Sequence, residues 1–169
     1  KKIKNSSEIF EGDEKNFREN KIIIENHEKL ENVVFSSQGL VQNPDKINKK
    51  NSIKYNLKQG EGVFVINNTE LNFLKLTNEE SKFVKPFYDE KDINNLRLDK
   101  KTDQNLLYIT SKNCNSISQY KNLEKHLIKF KSIMENRREN ILGKLKYFQL
   151  HWPRNEDFFL KEKIIIPSM

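Results

Sequence analysis

The chain has 169 residues and a formal charge of +7, from 31 Lys and Arg against 24 Asp and Glu. Leu, Ile, Val and Phe fill 50 positions, about 30%, which excludes the low-hydrophobicity class that cannot build a core. A single cysteine, Cys114, excludes an internal disulfide and a multi-cysteine zinc site, and no apolar run nears the ~20 residues that span a bilayer.

Residues 1–28 are polar and charged, with Ile9-Phe10 and Phe17 as isolated apolar positions; they read as a linker or N-terminal arm, apart from "KIII" at 21–24 as a candidate strand. The remainder, 29–169, reads as one domain. Residues 30–42 read as extended chain broken by Gly39, and 43–56, "NPDKINKKNSIKYN", as a loop rich in Lys and Asn. The turn "QGEG" then leads into a strand, "GVFVIN" at 62–67. Thr77 to Glu80 has a capping start for a short helix that Pro86 must end. "YDEKDINNL" reads as a turn or a single helical turn, and "NLLYITS" at 105–111 as a strand. From Ser116 to about Asn140 the pattern is helical: Ser116 and Gln119 have capping-box spacing, and Tyr120, Leu123, Leu127, Phe130 and Met134 form one stripe. Near the end, Trp152 and Phe158-Phe159 read as packing residues, and Ile164 to Ile166 as a strand closed by Pro167. The expected fold is α+β: a twisted, mainly antiparallel sheet with one long helix, about 116–140, and shorter helices packed on it.

The positive charge invites a nucleic-acid reading. It is diluted by composition, since 26 Lys, 22 Asn and no Ala are what AT-rich coding produces. Catalytic patterns are scarce. The sole Gly-x-Gly, Gly60-Glu61-Gly62, precedes its strand, the wrong order for a cofactor turn. "NPDK" lacks the second proline and the aromatic residue with which adenine methyltransferases hold a flipped base. Asp89 and Lys91, with Asp45 upstream, have a loose nuclease-like spacing. His27, His126 and His151 lie far apart with only Cys114 to join them, so no metal site and no catalytic residue are expected. His126 is expected to be half-exposed on the long helix.

Four segments taken in order carry a resemblance: "SQGLVQNPDKI…GVFVIN", "FVKPFYDEKDINNLRL…NLLYI", "YKNLEKHLIKFKSIMENRREN" and "GKLKYFQLHWPRNEDFFLKEKIIIP". This succession resembles the TaqI-like C-terminal specificity domain, the target-recognition domain of adenine-specific DNA methyltransferases and fused restriction-modification enzymes. It departs from that family at Gln42-Asn43, where a glycine turn is replaced, and in the lysine-rich insert before Gly62. The resemblance implies a bacterial, cytoplasmic protein of which this chain is a piece. Double-stranded DNA and the catalytic methyltransferase domain of the same parent chain would be its partners. S-adenosylmethionine would be bound by the parent and no cofactor by this piece.

A DNA reader needs cations for phosphates and Arg, Lys, Asn or Gln for base edges. The candidates are Asn43, Lys46, Lys49 and Lys50 in the insert, with Lys91, Arg97, Arg137, Arg138, Lys144 and Arg154 beyond it. The arginines stand out in a lysine-rich chain because their planar fork makes bidentate contacts. Two other readings are a protein-interaction module docking through the helical stripe, and a metal-dependent nuclease built on Asp89 and Lys91.

Overall fold

The computed structural model describes residues 35, 37–89, 92–94, 97–98, 101–160, 163 and 165. The chain divides into two compact units, Lys1–Ser37 and Gln38–Met169. The strand expected at 21–24 lies outside the described residues, as does all but Ile165 of the one expected at 164–166.

The second unit is α+β, built on a small antiparallel sheet. Strand β1 is Val65–Asn67, β2 is Val84–Pro86 and β5 is Gln104–Leu107, in the order β1-β5-β2. Val65 pairs with Leu106 on one side of β5, and Val84 pairs with Leu107 on the other. Pro86 sits in an edge strand, where its missing N–H disturbs no ladder. A second, two-stranded ladder joins β3, Ile93–Asn94, to β4, Arg97–Leu98. Its first strand falls in the stretch expected to be a turn or single helical turn, and its second lies just beyond it.

Helix α1, Lys49–Tyr55, lies where the sequence reads as a loop. Its strongest determinant is Asn48, whose side chain accepts from the Asn51 N–H at 2.8 Å and caps the first turn. Asn56 then closes it in the left-handed region at φ 52°, a conformation asparagine tolerates. Helix α2, Asn68–Leu74, follows β1 directly and opens with a reciprocal capping box between Asn67 and Glu70. The expected box at Thr77 and Glu80 also forms, at 2.9 and 3.2 Å, and starts the 3-10 turn Glu80–Phe83.

The long helix is shorter than the stripe suggests. A 3-10 turn, Ile117–Gln119, comes first; α3, Lys121–Leu127, runs through a 3-10 stretch, Ile128–Phe130, into α4, Lys131–Glu135. The continuous run is thus 121–135, not 116–140. At its start Tyr120 is non-helical, with φ −115° and ψ 80°, and Ser116 bonds Ser118 instead of capping. At its end Arg137 is extended, at ψ 139°, before the short α5, Arg138–Ile141. The stripe itself faces this chain's own core: Leu123, Leu127, Phe130 and Met134 are fully buried, so it presents no docking seam. His126 is buried as well, not half-exposed. Its Nε2 lies 3.0 Å from the Val63 carbonyl, and burial pulls its pKa down.

Glu80 supplies the cap that Ser116 does not. It is 1% exposed, and its carboxylate accepts from the backbone of Asn122 and Leu123 at 2.7 and 3.2 Å, the first free amides of α3. The glycine turn forms as expected, with Gly60 at φ 81°. At Gly62 an added Cβ would collide with the Val65 carbonyl and approach Ile66 and Glu70. Gly62→Ala is expected to cost about 2 kcal/mol through overpacking, visible as a lower melting temperature with an unchanged folded-state spectrum.

Candidate nucleic-acid interface

An open cleft of about 450 Å³ lies between the segment leading into α1 and the 133–139 segment. Asn43, Asn48, Asn51 and Asn136 line it with Arg138, Glu139 and His151. The amides differ in how far they are committed. Asn48 accepts the capping bond from the Asn51 amide, and Asn136 donates to Ser132 O and Tyr55 Oη at 2.6 and 3.1 Å. The side-chain amides of Asn43 and Asn51 make no hydrogen bond among the described residues, and Asn51 is half-buried on the first turn of α1.

Glu139 and His151 form the inner wall. Glu139 Oε2 lies 3.0 Å from His151 Nε2, with the two side chains only 20% and 14% exposed. The contact lacks hydrogen-bond alignment, and Glu139 Oε2 and His151 Nδ1 are buried without hydrogen-bond partners among the described residues. The imidazole stacks on Trp152 at 5.3 Å and 22°. That indole is 49% exposed, so it is not the core residue its size suggests. Its backbone is satisfied by an antiparallel bridge to Val41, and its ring rests on the residues beside it. Phe158, in the last helix α6, Asp157–Leu160, is 36% exposed and is not core either.

Only some of the candidate DNA contacts line this cleft. Asn43 and Arg138 line it, and both are exposed. Lys49 and Lys50 stand exposed on α1, next to Asn48 and Asn51. Lys46 is half-buried, bridging Gly62 through its backbone. Lys144 is exposed just beyond the Gly143 turn. Arg154, at φ 58°, lies over Trp152 at 5.8 Å and donates to Gln38 Oε1 at 3.0 Å. Arg97 pairs with Asn94 in the small ladder, and Lys91 lies outside the described residues.

Arg137 leaves the candidate set. It is 8% exposed and sits over the Phe64 ring at 5.9 Å. Its Nε donates to Met134 O at 3.1 Å, Nη1 to Gln149 O at 2.9 Å, and Nη2 to Lys146 O and Tyr147 O at 3.2 and 3.1 Å. Burial lowers its pKa to about 10, against the pull of Glu139, so it stays charged at neutral pH. Four of its five N–H groups are committed to internal carbonyls, so although it lines the cleft it has little left to offer a phosphate.

Sequence reasoning flagged the His-Trp-Pro-Arg stretch but missed its link to Glu139, which is twelve residues away and reached only by folding. Asn51 belongs to the insert that the sequence marks as a possible groove or phosphate loop, but sequence alone does not set it apart from its Lys and Asn neighbours.

Neither a family model nor a curated protein matches the sequence. Among the described residues no group of His, Cys, Asp and Glu is arranged to hold a metal ion, and no helix is long and apolar enough to cross a membrane. The Gly60-Glu61-Gly62 turn does not fit a cofactor. The close approach at Gly62 is made by Val65, Ile66 and Glu70 of the same chain, and the Gly62 N–H already donates to Glu70 Oε1 at 2.9 Å.

Proposed function

We propose that this chain is a sequence-specific DNA-recognition module of an adenine-N6 methyltransferase or fused restriction-modification enzyme. In that reading it meets double-stranded DNA through the major groove and phosphates. Methyl transfer from S-adenosylmethionine belongs to a catalytic domain elsewhere in the parent chain, and this piece supplies no reacting group. The observation that carries the reading is the cleft. It gathers four asparagine amides and the exposed Arg138, and the exposed Lys49 and Lys50 sit on the helix that forms one side. Amides and a guanidinium are the groups that read base edges, and the flanking ammonium groups suit phosphates. The net charge of +7 acts in the same direction.

The test is duplex binding followed by fluorescence anisotropy at several salt concentrations. The chain alone is expected to bind in the non-specific range, roughly 0.1 mM to micromolar, with affinity falling steeply as salt rises. Lys49→Ala combined with Lys50→Ala should flatten the slope of log K against log salt by about one to two. Arg138→Ala should weaken binding by about tenfold with folding unchanged, because its side chain is exposed. Binding that ignores salt, or that survives both changes undiminished, removes the reading.

A further inference from the structure

Helix α1 gives nothing to the core. None of its seven residues is buried, and Lys49, Lys50, Ile53 and Lys54 are exposed, Ile53 to 76%. Lys49 and Lys50 precede Ile53 by four and three positions, so the three share one helical face. Stability does not explain that face. Cations in the first turn oppose the helix dipole, no carboxylate stands there to offset them, and a β-branched residue is a poor helix former. The helix is held by its ends and its inner side instead. Asn48 caps it, Ser52 Oγ donates to Leu57 O at 2.7 Å, and the Asn136 amide donates to Tyr55 Oη at 3.1 Å. From 46 to 58 the chain carries five lysines and no Asp or Glu, so a polyanion meets no repelling carboxylate on this segment.

We infer that α1 is the element that enters the major groove of duplex DNA, with Ile53 set against the C5-methyl group of thymine and Lys49 and Lys50 on the phosphates beside it. This deepens the DNA reading above and rests on it. A helix with its side chains is about 10–12 Å across, and the major groove, about 12 Å wide, admits one. The thymine methyl is the apolar group that base edges present there; the other positions offer donors and acceptors. An aliphatic side chain pressed on a polar edge strips its water and returns no hydrogen bond, so Ile53 selects for the methyl. The lysines act as point charges and need no fixed geometry. Lys54 is partly engaged elsewhere, its ammonium lying over the Tyr55 ring at 5.0 Å. The segment is also where the sequence departs from the specificity domains it resembles, so the assignment stands on this chain's own helix.

The probes are two labelled duplexes, alternating dA·dT and the same duplex with deoxyuridine in place of thymidine, which differ in composition only by the C5-methyl groups. Their repeat offers a methyl in every register, so no particular target sequence is needed. By anisotropy at low salt the chain is expected to bind the thymine duplex about fourfold more tightly, the worth of one buried methyl. Ile53→Ala should bring the two affinities together with the melting temperature kept, because the exposed side chain leaves no cavity and alanine favours the helix. Phe73→Ala, at a residue 79% exposed on α2, should leave the preference intact. Lys49→Ala combined with Lys50→Ala should weaken both duplexes alike. Equal wild-type affinities, or a thymine preference that survives Ile53→Ala, overturn the inference; steep salt dependence in the same titrations then leaves the DNA reading standing. Binding to neither duplex removes both. Self-association on a sizing column that Ile53→Ala abolishes gives the face to a second copy of this chain and likewise overturns the inference.

Discussion

Arg137→Ala is expected to lower the free energy of unfolding by about 4 kcal/mol, read as a shift of the urea midpoint at constant m-value. The guanidinium ties the end of α4 to the 146–149 segment through the carbonyls of Met134, Lys146, Tyr147 and Gln149. Truncation strands those acceptors in a region with little water and opens a hollow beside Phe64. Arg137→Lys should recover only part of the loss, because an ammonium on a flexible stem cannot span a fork of carbonyls. A loss below about 1 kcal/mol for the alanine variant would mean that these bonds form with water equally well. Such a variant should not alter the salt dependence of DNA binding, which separates it from Arg138→Ala.

Glu80→Gln is the second large effect, about 3 kcal/mol at neutral pH. Burial alone would raise the carboxyl pKa, but the hydrogen bonds from the Thr77 backbone, the Asn122 side chain and the backbones of Leu123 and Asn122 together bring it below the ordinary 4.5. A folded-state pKa held below the unfolded one gives stability that is complete above the unfolded value. That stability is lost as pH falls through the lower folded value. The wild-type chain should therefore lose stability below the ordinary carboxyl range, and Glu80→Gln should show a shallower acid limb. Glutamine keeps one accepting oxygen but turns an NH2 toward donors, so the neutral-pH loss and the flattened limb should appear together. Parallel acid limbs for the two proteins would remove Glu80 from this role.

Much of the architecture was legible. The turn at Gly60, the strands within 62–67 and 105–111, and the box at Thr77 and Glu80 rest on local chemistry that one sequence carries. The stripe Leu123, Leu127, Phe130, Met134 located a buried helical face correctly. Its limits were not legible, because the helix starts where Glu80 arrives from another segment and stops where the Arg137 side chain collects distant carbonyls. The helix 49–55 escaped notice because its composition, lysine and asparagine, resembles a loop. Trp152 misled in the opposite sense: bulk suggests burial, yet a backbone bridge to Val41 leaves the ring at the surface. For the site, Asn43 and Arg138 were picked by residue type. The Glu139–His151 pair and the free amide of Asn51 emerge only from three-dimensional neighbourhood.

The placement of β5 between its partners bears on how the chain leaves the ribosome. Both flanking strands are synthesised first, and they stay unzipped until residues 104–107 emerge to accept them on either side. The Leu150 N–H then reaches back to Ile109 O at 2.8 Å, adding another late contact. A nascent chain stalled before residue 104 would thus expose two bare edges at once, the state most prone to intermolecular pairing. Pausing during translation just upstream of this point should raise the insoluble fraction, whereas pausing after it should not.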